Sequence, residues 1–208
     1  MSEELDHAAE PLQDSQAQIA DDEALEQAGL TADELRLRRE ALAQLRQWGD
    51  PVLRSETRPV ERFDEDFKAD AERMIELMHQ SFGIGLAAPQ IGKSRRVFVY
   101  QVGDQPAIVL ANPVVEYLSE DAESAQEGCL SLANIQVDVD RPIYARVTGL
   151  DVNGDEITIE ASGLEARVIQ HEFDHLNGVL ILDRTSKDQR REALRALREA
   201  EERTGYAA

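Results

Sequence analysis

A chain of 208 residues is long enough for one domain with a full hydrophobic core, and its single cysteine excludes an internal disulfide. The net charge of -20 is uneven: residues 1–34 hold eleven acids and no Lys or Arg, which excludes nucleic-acid binding through that segment. No apolar run is long enough to span a bilayer, and "MSEELDHAAEPLQD" lacks the basic start and apolar stretch of a signal peptide, so a cytoplasmic protein is expected.

Residues 1–28 are acidic, rich in Ala and Gln and poor in large apolar side chains, which predicts an extension that is disordered or loosely helical. A single domain is expected over residues 29–208. "LTADELRLRREALAQLRQWGD" puts Leu35, Leu42 and Leu45 on one helical face, with Thr31 and Glu34 spaced as a capping box. In "GDPVLR", Pro51 disfavours helix at Asp50 and predicts a turn into an extended segment. "DEDFKADAERMIELMHQSF" carries Phe67, Ala71, Met74, Ile75 and Met78 as one stripe, an amphipathic helix stopped by Gly83. "RRVFVYQV" and "AIVLANPVVEYL" are β-rich, and Asn153-Gly154 within "ARVTGLDVNGDEITIEA" is hairpin-turn chemistry. Helical spacing returns in "LEARVIQHEFDHLNG", with Leu164, Val168, Phe173 and Leu176 on its apolar side and Gly178 at its end. A last amphipathic helix in "SKDQRREALRALREAEER" turns Leu194 and Leu197 inward. Helix, several strands, then helix is the order of an α+β fold.

His171, Glu172 and His175 form an H-E-x-x-H pattern. On a helix the two histidines lie one turn apart on one face, where both can bind one metal ion, with Glu172 beside them to act on water. Two histidines leave a catalytic metal one protein ligand short. Downstream there is no histidine, only the acids Asp183 and Glu192. Cys129, in "EGCLS", is the better third ligand, because a thiolate binds Zn²⁺ or Fe²⁺ strongly and its glycine-flanked extended segment can approach the helix closely. In "GIGLAAPQIG", Gly83 and Gly85 around Ile84 leave backbone open to an incoming extended chain, although a helix stop followed by a turn explains them equally well. Gln90 offers an amide donor to a developing oxyanion, or is simply polar surface.

Together "GIGLAAPQ", "EGCLS" and "QHEFDH", in this order and with "GDPVLR" ahead of them, resemble the signature motifs of the peptide deformylase family from about Trp48 through Asp183. The resemblance implies one divalent metal ion, usually Fe²⁺ and replaceable by Zn²⁺, Ni²⁺ or Co²⁺, held by Cys129, His171 and His175. It implies that Glu172 moves the proton of an attacking water, and that the Gln90 amide and the Leu130 backbone N–H stabilise the oxyanion. The implied substrate is a nascent formylmethionyl peptide, extended along Gly83, Ile84 and Gly85, with Leu164 and Val168 helping Ile84 to line the methionine pocket; ordinary core packing also explains these apolar residues. The implied fold has antiparallel or mixed sheets packed around a central metal-binding helix, with an N-terminal and a C-terminal helix. Two other readings stand beside it: a metallopeptidase with Glu192 as third ligand, and a binding protein whose structural metal would need a fourth protein ligand. Arg190, Arg191, Arg195 and Arg198 leave docking on ribosomes open, with a solvated helix face as the simpler account.

Overall fold

The computed structural model describes residues 25–27 and 29–204. The expected acidic extension lies outside the described residues except for Leu25, Glu26 and Gln27, a helical turn whose Glu26 carbonyl accepts from Gly29 N–H at 2.9 Å. Four helices follow, α1 (Ala32–Leu42), α2 (Glu65–Gln80), α3 (Gly163–Leu176) and α4 (Lys187–Thr204). The strands are β1 (Gly85–Ala87), β2 (Val97–Tyr100), β3 (Ile108–Leu118), β4 (Ala122–Cys129), β5 (Leu132–Pro142), β6 (Tyr144–Leu150) and β7 (Glu156–Ser162). The architecture is α+β, as expected. One sheet runs β1-β2-β3-β6-β7, β4 and β5 form a second, and every pairing between these strands is antiparallel.

The strand period of two explains how the larger sheet serves two cores. Val97 and Val99 point with Leu86 and Val109 towards Phe67, Met74 and Met78 of α2, whereas Phe98 and Tyr100 point with Leu110 and Val147 towards Val168, Ile169 and Leu176 of α3. All four residues of β2 are therefore buried. Removing each large side chain from water contributes roughly 1.5–3 kcal/mol, so this double burial fixes the sheet between its helices. A third core joins Ile135, Val137 and Val139 of β5 to Leu180 to Leu182 and to Ala193 and Leu197 of α4, with Leu194 partly buried against it. Helix α3 touches both sheets.

Several local expectations hold and several are corrected. Thr31 and Glu34 make the reciprocal capping box, and Leu35 and Leu45 are buried. The Asn153-Gly154 turn joins β6 to β7, with the Asp151 carboxylate accepting from Asn153 and Asp155 N–H. The segment after Asp50 is not extended. Asp50 itself is, but its side chain accepts from Val52 N–H at 2.9 Å and caps a 3₁₀ turn over Pro51–Arg54. The stop of α2 is not at Gly83 either: Phe82 takes the left-handed conformation (φ 56°), donating to the His79 carbonyl while Gly83 donates to Met78. A Cβ at Gly83 would lie 2.8 Å from Leu130 Cδ1, so that the end of the Leu130 side chain would have to shift to admit one. Helix α3 departs most from an amphipathic pattern, for it buries Gln170, Glu172, Asp174 and His175 while Leu164 is exposed. The β4–β5 hairpin was not among the expected elements.

Candidate active site

Helix α3 supplies His171 and His175, whose rings stand 5.0 Å apart at 70° to each other. Strand β4 ends at Cys129, and a two-residue turn of Leu130 and Ser131 returns the chain into β5. This delivers Cys129 Sγ to 3.3 Å from His175 Nε2, and the donor atoms of Cys129, His171 and His175 all lie within 4.8 Å of one another. Metal–sulfur and metal–nitrogen bonds of about 2.3 and 2.0–2.1 Å in a tetrahedral site separate S and N by roughly 3.5 Å, which matches that approach. Glu172 Oε2 is buried without a protein hydrogen-bond partner, so polar chemistry is presented inside the site. Burial drives His175 well below the ordinary imidazole value, which keeps it the neutral ligand a metal requires. The three residues therefore fit a divalent ion.

His171 is oriented by a buried ionic network. A carboxylate only accepts, so at 3.1 Å from Glu127 Oε2 the His171 Nδ1 carries the proton and leaves the Nε2 lone pair for a metal. Glu127 is itself held in a two-bond fork by Arg141 at 2.9 and 2.9 Å and accepts from Arg167 at 2.8 Å. Arg141 also donates to Asp174 at 2.7 Å, and Asp174 binds Arg184. Against burial, which raises it, the bonds from Arg141 and His171 hold the Glu127 carboxyl well below the usual carboxylate range. Replacing Glu127 with Ala is expected to weaken metal binding by about 10–100-fold and, by leaving Arg141 buried without half its partners, to destabilise the fold by roughly 3–5 kcal/mol. Chelator competition and denaturant unfolding measure the two effects separately.

Glu172 faces the cluster from α3, and burial pushes its carboxyl up to about 7 despite the opposing charge of Arg141. Strand β1 passes so close that a Cβ on Gly85 would lie 2.3 Å from Glu172 Oε1. The glycine expected to leave room for a substrate chain thus first leaves room for the glutamate. Gly85→Ala should keep its metal yet lose about 100-fold in turnover, because displacing a reacting group by about 1 Å has that scale of effect. Gln90, 2 % exposed, accepts from Ala87 N–H at 2.8 Å through Oε1, which aims Nε2 towards Ser131 Oγ at 3.2 Å and Cys129 Sγ at 3.8 Å.

A cavity of about 950 Å³ opens onto Cys129, His171 and Glu172. Gln90 and Leu130 line it beside them, Gly83, Ile84 and Gly85 line it from β1 and its approach, and Leu164 and Val168 line it from α3. His175 sits behind, 1 % exposed. The expected site residues are thus gathered at one place, and β1 is an edge strand with its outer side unpaired in the sheet. Neither downstream acid takes part: Asp183 is engaged by Arg54, Arg190 and Leu180 N–H, and Glu192 is exposed on α4. Among the described residues the metal-binding cluster has three members, not the four of a closed structural site. The sequence reading missed the roles of Glu127, Arg141, Arg167 and Asp174, although two of them lie inside the quoted motifs.

Comparison with known proteins bears on the same residues. Residues 42–191 match the family described as Polypeptide deformylase. The chain is 48% identical over 146 residues to a peptide deformylase of Thermotoga maritima, covering 70% of this chain and 88% of that one, and 45% identical over 161 residues to one of Acidothermus cellulolyticus, covering 77% and 88%. A crystal structure of a peptide deformylase from Synechococcus elongatus in complex with actinonin superposes with a TM-score of 0.69 at 40% identity, covering 79% of this chain and 86% of that one. With its metal-ligand cluster, its glutamate and its matching core segment, the chain belongs to the peptide deformylase family.

Proposed function

We propose that this chain hydrolyses the formyl group from N-terminal formylmethionine of nascent polypeptides in the cytoplasm, releasing formate and a free amine. The observation that carries this reading is the placement of the Glu172 carboxylate against a Cys129–His171–His175 cluster, at the inner end of a cavity bordered by an edge strand. A divalent ion held by one thiolate and two imidazoles supplies Lewis acidity, polarising a carbonyl and lowering the pKa of water from 15.7 towards about 7. Fe²⁺ is the proposed ion, and the same donors accept Zn²⁺, Ni²⁺ or Co²⁺; metal analysis of anaerobically purified protein identifies it.

Each residue has a separate task. Glu172 takes the proton of the attacking water as its oxygen bonds to the formyl carbon, then returns that proton to the amine as the C–N bond breaks. Gln90 Nε2, aimed by the Ala87 N–H on its Oε1, donates to the oxyanion together with the Leu130 backbone N–H. Removing one such donor raises a barrier by about 2.7–4 kcal/mol. The edge of β1 receives the peptide as an added strand, and Ile84, Leu164 and Val168 enclose the methionine side chain.

Selection for formyl follows from room at the reacting carbon, where formyl carries hydrogen and acetyl a methyl. Formyl-Met-Ala-Ser is expected to be cleaved at least 10–200 times faster than acetyl-Met-Ala-Ser after correction for reactivity with hydroxide. Equal corrected rates would show that the cavity does not discriminate. Among the described residues no helix is long and apolar enough to cross a membrane. The α4 arginines are partly compensated, Arg190 by Asp183 at 3.2 Å and Arg191 by Asp188 at 3.1 Å, and in this reading they form a solvated face rather than a ribosome contact.

A further inference from the structure

Ser81 to Gly85 border the cavity as one continuous stretch where α2 gives way to β1, and its first two residues are unfavourable to the fold. Phe82 holds φ 56°, in the left-handed region where a bulky side chain is strained and glycine or asparagine is tolerated. Its neighbour Ser81 is buried, with a hydroxyl oxygen that has no hydrogen-bond partner among the described residues. Helix termination accounts for the left-handed backbone, since Phe82 and Gly83 donate to the His79 and Met78 carbonyls, but not for a phenyl ring at that place. Core packing does not account for it either: Phe82 is 49 % exposed and belongs to none of the three cores.

The ring stands on the outward path of a substrate. Gly85 marks the reacting end, because its missing Cβ leaves room for Glu172 Oε1. An extended peptide with its formyl carbon there, running outward beside the β1 edge and its approach, advances about 3.3 Å per residue and passes one residue of the protein for each of its own. The formyl group is then level with Gly85, the methionine with Ile84, the second residue with Gly83 and the third with Phe82. Gly83 presents no side chain to the second residue, whereas Ile84 and Phe82 are exposed and apolar. Among the described residues, three of the eight exposed large apolar side chains, Phe82, Ile84 and Leu164, border this one cavity, a concentration that marks a binding surface rather than scattered exposure.

We propose that Phe82 is a specificity-determining residue, whose ring packs against the side chain of the third substrate residue, counting the formylmethionine as the first, and selects aromatic and large apolar groups there over small polar ones. The proposal rests on the hydrolytic reading above. Aromatic rings that meet edge-to-face or offset gain beyond the area they bury, and a half-exposed ring on a rim can do so without disturbing a core.

Formate release from formyl-Met-Ala-Phe, formyl-Met-Ala-Ser and formyl-Met-Phe-Ser, compared between the full chain and a Phe82→Asn variant, tests it. The full chain should favour formyl-Met-Ala-Phe over formyl-Met-Ala-Ser by about threefold to tenfold in kcat/KM, through KM with kcat unchanged, because the ring touches no reacting atom. Formyl-Met-Phe-Ser, which puts the same ring level with Gly83, should gain less than about twofold over formyl-Met-Ala-Ser. In Phe82→Asn the preference should shrink to less than about twofold, with metal content kept and a melting temperature no lower than the parent's, since asparagine tolerates the left-handed backbone. Phe82→Leu, apolar but without a ring, should fall between the two. A lower melting temperature in Phe82→Asn with an unchanged preference would make Phe82 a packing residue and overturn the proposal. An equal gain from formyl-Met-Phe-Ser also overturns it, because the ring would then not read the third position. Failure of the parent to release formate from all three peptides is distinct from either result and removes the hydrolytic reading itself.

Discussion

Glu172→Gln is expected to retain a full complement of metal while kcat falls by about 10²–10⁴. Glutamine keeps the volume of the side chain and its contact with the backbone at Gly85, where a Cβ would lie 2.3 Å from Oε1, but cannot accept a proton from water. The three metal-binding residues are left untouched, so occupancy and chemistry should separate. Metal analysis beside formate release measures both. If metal is lost with activity, Glu172 helps to build the site; if kcat falls by less than about tenfold, another group moves the proton.

Cys129→Ala should give the opposite pattern, with metal and turnover lost together. The thiolate is the one donor contributed from outside α3, and without it two imidazoles cannot complete the three-ligand set of an open catalytic site. Thermal stability should fall as well, because an ion bound to the folded state at 1,000 times its Kd contributes about 4.1 kcal/mol by linkage. His175→Ala should behave the same way, since its Nε2 lies 3.3 Å from Cys129 Sγ. Full metal occupancy in Cys129→Ala would contradict the ligand assignment.

What could be read from the sequence was local or carried by spacing. The Thr31–Glu34 box needs residues three apart, the Asn153-Gly154 hairpin needs two neighbours, and the two histidines need only one helical turn. What escaped depends on contacts between distant segments. The Glu127–Arg141–Asp174 network pairs residues on β4, β5 and α3, and no periodicity of any one segment encodes it. The hydrophobic pattern of α3 holds at Val168 and Leu176 but misses its buried polar residues for a related reason: Gln170 and Asp174 are satisfied by Pro142 and Arg141 of β5 and by Arg184, while Glu172 and His175 serve the site. Strand β5 alternates the buried Ile135, Val137 and Val139 with Gln136, Asp138 and Asp140, the period of two of a half-buried strand, although its pairing with β4 was not among the expected elements. Gly85 was singled out as a gap in the backbone, and only the fold shows that Glu172 fills the space beside it.

The most direct test incubates the metal-loaded chain with formyl-Met-Ala-Ser and, separately, with a longer unblocked peptide, and assays formate and new amines in both. The account predicts formate and one new amine per molecule from the first, and no cleavage of the second. New peptide fragments without formate would contradict it, because the Cys129–His171–His175 site and Glu172 would then be cutting internal peptide bonds.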